Sequence, residues 1–139
     1  MKLVESDFNK ESGVSTCKVK HLNKNYYGTA QLHPEDKDKA SNLTGCRYAH
    51  TRAEIKALKA EYKQKKEECE ICRKFVKMCK QYKNWDDNSI MAKIIYRQLN
   101  IRIKAVNKLA EEISLRMFGL NVSIRQQDTI HQKMLSKND

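Results

Sequence analysis

The fold of this chain is decided at Asn84-Trp85-Asp86-Asp87-Asn88-Ser89, a polar stretch that separates two long segments with helical periodicity. Its side chains are typical helix caps, because their oxygens accept hydrogen bonds from the free amides of a first helical turn. No glycine or proline occurs between Arg52 and Lys83, or between Ser89 and Gly119. Since a connection this short places two helices side by side, the sequence predicts an antiparallel helical hairpin.

Each segment carries one seam of apolar side chains at spacings of three, four or seven residues, which is typical of one helix face. The first seam consists of Ile55, Leu58, Tyr62, Cys69, Cys72, Val76 and Cys79. The second seam consists of Met91, Ile95, Leu99, Val106, Leu109 and Ile113. Thr51 is a predicted N-cap with Glu54 at capping-box distance, and Gly119 is expected to end the second helix. The hairpin is therefore predicted over residues 51–118.

The N-terminal part of the chain has a different pattern. Residues 1–14 are polar and show no periodicity, so we interpret them as a flexible arm. Residues 15–50 are predicted to contain a small β-sheet, because apolar and polar side chains alternate over 16–22 and again over 26–32. Asn23-Lys24-Asn25 lies between these runs and is typical of a turn, which indicates an antiparallel β-hairpin.

The boundaries of the other segments follow from weaker patterns. Pro34 has no amide proton to give to a sheet and is expected to end the second strand. Residues 46–50 fit either a short third strand or the lead-in to the first helix. The tail, residues 119–139, is expected to hold a short strand at 122–124 and a helical turn at 129–135. The expected class is α+β, with a small N-terminal antiparallel β-sheet followed by a long antiparallel two-helix hairpin.

Length and hydropathy bound the class of protein further. At 139 residues the chain is expected to be a single domain, 1–139. No stretch approaches the roughly 18 consecutive apolar residues of a membrane span, and the first twenty residues lack an apolar signal core, so a cytoplasmic protein without a membrane partner is expected. Ile94, Ile101 and Ile103 lie off the second seam, where one partner helix cannot cover them, which predicts a homo-oligomer.

Neither a metal site nor an enzyme active site is predicted. Cys69 and Cys72 have the spacing of half a zinc site, but no second Cys or His pair follows at a suitable distance. With Cys79 they fall on one helical face, so we interpret all three as reduced core residues. The sequence has no Gly-rich phosphate loop and no nucleophile elbow, and its four histidines are scattered, so no catalytic residue and no cofactor are expected.

Positive charge is concentrated in the predicted hairpin. The chain has a net charge of +11, and residues 51–119 hold 17 Lys and Arg against nine Asp and Glu, a net charge of +8. Such a concentration attracts nucleic acid, nucleotides or an acidic protein surface. It also has a purely structural interpretation, because charged faces keep helical oligomers soluble.

Arg102 is the most informative residue for function, because it takes an otherwise apolar position of the second seam. A buried guanidinium needs an acidic partner, an exit to solvent, or an anionic or aromatic ligand. The structural alternatives are an ion pair with Glu67, Glu68 or Glu70 of the facing helix, or a side chain that reaches solvent at an oligomer interface.

A hairpin that turns near residue 86 places Arg102 about one turn from Phe75, which predicts a pocket. An aromatic ring and a guanidinium can hold a purine between them while the guanidinium still reaches a phosphate. Phe75 and Trp85 are also ordinary core residue types. The other residues that we expect around this pocket are Asn84, Trp85, Asn88, Arg97, Asn100, Lys24 and Arg52.

The order of three segments resembles that of a known family. The segments are Tyr27-Gly28-Thr29-Ala30, His33-Pro34-Glu35-Asp36 and Tyr96-Arg97-Gln98-Leu99-Asn100-Ile101-Arg102. This layout, over about residues 15–116, resembles small bacteriophage proteins of the Thoeris anti-defence sponge family. The resemblance implies an N-terminal β-sheet, two long C-terminal helices, and homo-oligomers such as dimers or hexamers in the host bacterial cytoplasm.

The resemblance also implies a function and a set of binding residues. The family sequesters, without cleaving it, the cyclic ADP-ribose isomer made by the host's TIR-domain defence enzyme, and some members hold cyclic trinucleotides at separate sites. Its members pinch the ligand between an aromatic residue of the first helix and an arginine of the second, a pattern that Phe75 and Arg102 match. The other positions that it implies are Asn84 or Asn88 in the connection, His21 or Lys24 in the sheet, and Arg52 in the first helix.

The leading hypothesis from the sequence is a phage immune-evasion protein that binds a cyclic nucleotide signal in pockets between subunits. The alternative is a basic helical phage protein that binds nucleic acid or inhibits a host nuclease. A third interpretation is a structural helical oligomer with a salt-bridged Arg102.

Overall fold

The computed structural model describes residues 1–31 and 42–137. In chain order these residues form three strands and two helices, namely β1 (Lys2–Asn9), β2 (Val14–His21), β3 (Lys24–Gln31), α1 (Asn42–Lys80) and α2 (Ile90–Lys137). The predicted α+β class is confirmed, with an N-terminal antiparallel sheet followed by two helices. The predicted break at Pro34 lies outside the described residues.

The strands form one antiparallel sheet in the order β1-β2-β3. Leu22 and Asn23 make the turn between β2 and β3, and both have positive φ angles, 50° and 64°. Two-residue turns of this kind match the right-handed twist of the strands that they join, and asparagine adopts such angles more readily than most residues. The two predicted strands are thus confirmed as β2 and β3, but they start at Val14 and Lys24, and residue 32 lies outside the described residues. The turn predicted at Asn23-Lys24-Asn25 is at Leu22 and Asn23 instead.

The expectation of a flexible arm over residues 1–14 is wrong. Most of this segment is β1, which pairs with β2, and a hydrogen bond of 2.8 Å from the amide of Gly13 to the carbonyl oxygen of Asn9 closes the connecting turn. Nearly all side chains of β1 are exposed. The strand therefore depends on backbone pairing rather than on a buried face, and it leaves no apolar periodicity in the sequence.

β1 is an edge strand with one irregularity. Leu3 lies opposite Val19 and Glu5 lies opposite Lys18, so Val4 has no residue opposite it. This extra residue is a β-bulge, which bends the strand and increases its local twist.

The described chain divides into two compact units, Met1–Leu58 with Ile113–Asp139, and Lys59–Glu112. In the first unit, α1 lies directly against the sheet. A Cβ atom on Gly28 of β3 would lie 2.0 Å from the carbonyl oxygen of Ala49 and 2.5 Å from the amide nitrogen of Ala53. The core around this contact contains small side chains, which permit the close approach of helix and sheet: Cys17, Ala30 and Ala49.

α1 begins well before the predicted start at Thr51. Residues 46–50 belong to the helix and not to a third strand. The reason is tertiary packing, because Gly45 lies against Ser15 of β2, where an added Cβ atom would be 2.6 Å from the serine hydroxyl oxygen. Glu54 therefore does not form a capping box, and its carboxylate instead makes an ion pair with Arg116.

The second unit is the predicted hairpin, with the end of α1 and the start of α2 joined by residues 81–89. The hydroxyl of Ser89 accepts a hydrogen bond of 3.1 Å from the amide of Ala92, so Ser89 is the N-cap of α2. Cys69, Val76 and Leu109 of the predicted seams are buried. Met91 is 65% exposed, and its neighbour Ala92 takes the buried position, so the seam is shifted by one residue there.

α2 continues through Gly119 to Lys137. A Cβ atom on Gly119 would meet nothing within 4 Å, so no turn or close contact requires this glycine. Glycine inside a helix costs only about 1 kcal/mol relative to alanine, which the long helix tolerates. The predicted end at residue 118 and the predicted strand at 122–124 are therefore wrong, whereas the predicted helical turn at 129–135 lies within α2. In the described residues, no helix combines the length and apolar character that crossing a membrane requires.

Candidate ligand pocket

An open pocket of about 500 Å³ lies between the two helices of the second unit, and we call it the hairpin pocket. From α1 it is lined by Glu68, Ile71, Cys72 and Phe75. From α2 it is lined by Ile94, Ile95, Gln98 and Arg102. Its volume is in the range of about 300–1,000 Å³ that is usual for small-molecule sites. Both residues of the predicted aromatic–arginine pair thus line the same pocket.

Phe75 is unusually accessible for an aromatic residue in a helical hairpin. Its side chain is 53% exposed, whereas the next residue, Val76, is buried and holds the seam position. Ile71, one turn earlier on the same helix, is 68% exposed. The ring of Phe75 is therefore a lining group of the pocket rather than a core residue, and it can stack on a flat ligand.

Arg102 reaches solvent at the same pocket. Its Nη1 atom donates hydrogen bonds to the carbonyl oxygen of Gln98, at 3.2 Å, and to the Oε1 atom of Gln98, at 3.3 Å. No ion pair of Arg102 with a glutamate is present in the part of the chain that the structure describes. The alternative of an ion pair with a glutamate of α1 is therefore contradicted within this chain, whereas the alternative in which the side chain reaches solvent agrees with its exposed position. Gln98 restrains one edge of the guanidinium, and its other N–H groups are open to an anionic ligand.

The charged residues and the aromatic ring of the pocket lie at different distances along the helices from the connection between them. Glu68, Gln98 and Arg102 are at the end farther from the connection between the helices, whereas Phe75 and Ile94 are at the nearer end. A ligand with one flat apolar ring and one polar, anionic group matches this arrangement. Glu68 adds a carboxylate that can accept hydrogen bonds from ribose hydroxyls or an exocyclic amine.

The connection between the helices is stiffened by a hydrogen-bond network around Asp87. Its Oδ1 atom accepts hydrogen bonds of 2.7 Å from the indole Nε1 of Trp85 and of 2.7 Å from the hydroxyl of Tyr96. The two rings meet edge to face with their centroids 6.0 Å apart, and the Lys80 ammonium lies 5.2 Å from the centre of the Tyr96 ring. The hydrogen bond from Tyr96, followed by that from Trp85, lowers the pKa of Asp87.

Three predicted site residues of this connection do not line the hairpin pocket. Trp85 is half-buried and uses its indole N–H within the network. Asn84 and Asn88 are exposed, and the backbone amide of Asn88 donates a hydrogen bond of 3.0 Å to Asp86. Their amide side chains are available on the surface of the connection, but the structure does not bring them into the pocket of this chain.

Lys24 and Arg52 belong to the first unit, whereas Phe75 and Arg102 belong to the second. Lys24 is exposed at the start of β3. Arg52 donates a hydrogen bond of 2.7 Å from Nη1 to the carbonyl oxygen of Thr29, which ties α1 to the edge of the sheet. This contact assigns Arg52 a structural role in the chain.

Sequence reasoning missed four lining residues. Gln98 precedes Arg102 by four residues, and side chains at this spacing are neighbours on a helix. This spacing was the sequence signal that Gln98 lies beside Arg102. Ile94 is expected from the sequence at an oligomer surface, and no pattern assigns Ile71 a role. Cys72 is expected in the core, although it is only half-buried and lines the pocket.

The cysteines and acidic residues offer no metal site in the described part of the chain, since no group of three or more His, Cys, Asp or Glu side chains is arranged to hold an ion. All five cysteines are free thiols. Burial raises the pKa of the Cys17 thiol, which keeps it protonated and unreactive in the core of the first unit.

Comparison with protein-family models, with curated proteins and with solved structures gives no significant match to this chain.

Proposed function

We propose that the protein is a phage anti-defence protein that binds and sequesters a cyclic ADP-ribose-type immune signal without cleaving it. The observation that carries this proposal is the presence of Phe75 and Arg102 in one pocket of ligand size. The aromatic ring stacks on the purine, and the guanidinium binds a phosphate oxygen. The resemblance described above, which extends to cyclic trinucleotides as further ligands, supports the same class of ligand.

The electrostatics of the second unit also support an anionic ligand. Residues 59–112 contain 14 Lys and Arg and eight Asp and Glu, a net charge of +6. A positive field of this kind attracts a nucleotide and accelerates its binding. Gln98 holds the Arg102 guanidinium before the ligand arrives, so less conformational entropy is lost on binding.

A second copy of the chain would complete the pocket. The hairpin pocket is open to solvent, and large apolar side chains around it are exposed in the single chain. They include Ile71, Phe75, Met78 and Ile94. Contiguous apolar surface of this kind is typical of a protein interface, so we propose a homo-oligomer, a dimer or a hexamer, in which the ligand is enclosed between copies in the host bacterial cytoplasm.

The test is ligand retention by purified protein that has been exposed to the cyclic ADP-ribose isomer made by a TIR-domain enzyme. We expect native mass spectrometry to show the bound nucleotide, and heat denaturation to release it intact. Arg102→Ala removes a charge-assisted hydrogen bond worth about 1.5–3 kcal/mol, so its affinity should fall by about 10- to 150-fold. Phe75→Ala removes a stacking contact of about 1–3 kcal/mol and should weaken binding by a similar factor.

Arg97→Ala is the matched control, because Arg97 is an exposed arginine of α2 that does not line the hairpin pocket. It should retain the ligand with little change. Equal retention by Arg102→Ala and Arg97→Ala would refute the pocket assignment. Release of a cleaved product would refute sequestration as the activity.

A further inference from the structure

The outer face of α2 carries a row of cations that the hairpin pocket does not use. From Ile90 to Ala110 the helix contains five Lys and Arg residues and no Asp or Glu. The segment of α1 in the same unit differs, because Glu61, Glu67, Glu68 and Glu70 are interspersed among its lysines. Solvated helix faces usually mix both signs of charge, so a long acid-free segment indicates an anionic partner.

Four of these cations and two amides share one face of α2, and we call this set the basic stripe. It consists of Lys93, Arg97, Asn100, Lys104, Asn107 and Lys108. At about 100° per residue these side chains fall within an arc of about 100°, and the cations span about 22 Å of the helix. All six residues are exposed.

The cations of the basic stripe are free to bind. None of the four has a hydrogen-bond or ion-pair partner among the residues that the structure describes. Lys93, Arg97, Asn100 and Lys104 line an open depression of about 510 Å³ on the helix surface, together with Tyr96 and Ile101. The basic stripe and the α2 side of the hairpin pocket are roughly 140° apart around the helix axis, so the two surfaces are separate.

We propose that the basic stripe binds the phosphate backbone of duplex DNA, as an activity separate from the hairpin pocket. Duplex DNA carries one negative charge per about 1.7 Å of its length, which suits a straight row of cations. Proteins that prefer single strands stack bases on exposed aromatic rings. The aromatic residue in the depression is Tyr96, which is half-buried, donates its hydroxyl proton to Asp87 and has the Lys80 ammonium 5.2 Å from its ring centre, so it is a poor platform for stacking bases.

The experiment measures binding of the full chain to a fluorescent duplex DNA at a series of salt concentrations by fluorescence anisotropy. If each of the four cations neutralises one phosphate, a plot of the logarithm of the binding constant against the logarithm of the salt concentration should have a slope of about −3.6 per chain. The binding constant should therefore fall about 150-fold between about 50 and 200 mM salt. A combined variant, with Lys93→Gln, Arg97→Gln, Lys104→Gln and Lys108→Gln, should lose nearly all of this slope.

The matched control changes four exposed lysines of α1, with Lys59→Gln, Lys63→Gln, Lys74→Gln and Lys77→Gln. Both variants lower the net charge from +11 to +7. A difference between them therefore reports the effect of where the charges lie and not of the total charge. The control should keep most of the slope. An equal loss in the two variants would overturn the proposal, as would tighter binding of single-stranded DNA of the same length or equal displacement by poly-L-glutamate at the same charge concentration.

The result is independent of the proposed sponge function. Phe75→Ala should bind duplex DNA as the unchanged protein does, and the variant of the basic stripe should retain the nucleotide in the hairpin pocket. Circular dichroism shows whether each variant keeps its helices. Loss of DNA binding in Phe75→Ala with its helices intact would contradict two separate surfaces.

Discussion

Replacement of Gly28 by alanine tests how the first unit is built. The added Cβ atom would lie 2.0 Å from the carbonyl oxygen of Ala49 and 2.5 Å from the amide nitrogen of Ala53, whereas Cβ atoms essentially never approach other atoms within 3.0 Å. Both contacted atoms belong to the helix backbone and cannot rotate away. α1 must therefore move from β3 by about 1 Å, the difference between 2.0 and 3.0 Å.

A shift of this size costs free energy in two ways. Forcing an extra methyl group into a packed contact typically costs about 1–3 kcal/mol. The hydrogen bond of 2.7 Å from Arg52 to Thr29 would lengthen, and a bond to a charged donor contributes roughly 1.5 kcal/mol at the lower end of its range. We expect the free energy of unfolding to fall by about 3 kcal/mol, a factor of about 150 in the unfolding equilibrium.

Urea denaturation followed by circular dichroism measures this loss, and hydrogen exchange of the β3 amides locates it. Gly119→Ala is the control, because the same methyl group there meets nothing within 4 Å and should stabilise the helix by about 1 kcal/mol. The reasoning would be refuted if Gly28→Ala left both the urea midpoint and the β3 exchange rates unchanged.

Two further predictions concern the connection between the helices. The pKa of Asp87 is lowered in the folded protein, so the ionised carboxylate contributes its full stabilisation above pH 3.8, the ordinary pKa of an aspartate. This stabilisation is lost as the pH falls through the lowered pKa. The fluorescence of Trp85, the only tryptophan, should therefore stay constant as the pH is lowered to about 3.8 and change below it. The same pH dependence in Asp87→Asn would show that Asp87 is not the group that titrates. Ser89→Ala should cost about 1 kcal/mol in urea denaturation because the amide of Ala92 loses its cap, whereas Ser89→Asp should restore stability, and equal midpoints for the two variants would argue against the cap.

The helical hairpin and its pocket could be predicted from spacing alone. A short polar connection with a capping serine between two periodic segments predicts two antiparallel helices. In that arrangement Arg102 lies about one turn from Phe75, and both line the pocket. The environment of Arg102 could not be predicted in this way, because the direction in which a long side chain leaves its helix depends on neighbours such as Gln98.

The positions of three elements differ from the sequence predictions, each for its own physical reason. β1 is supported by backbone pairing with β2, which leaves no pattern in the side chains. α1 starts early because Gly45 and Ala49 pack on the sheet, so tertiary contacts outweigh the local capping signal of Thr51. Gly119 matches the sequence pattern of a helix end, but an exposed glycine ends a helix only where the chain must turn.

The β-bulge at Val4 has a consequence for the behaviour of the protein at high concentration. A regular edge strand presents unpaired amides and carbonyls on which strands of other molecules can add, and this is a common route to aggregation. Val4 interrupts that regular row in β1, since it has no residue opposite it in β2. We therefore expect the residue that breaks the ladder to disfavour the addition of further strands at the β1 edge of the sheet.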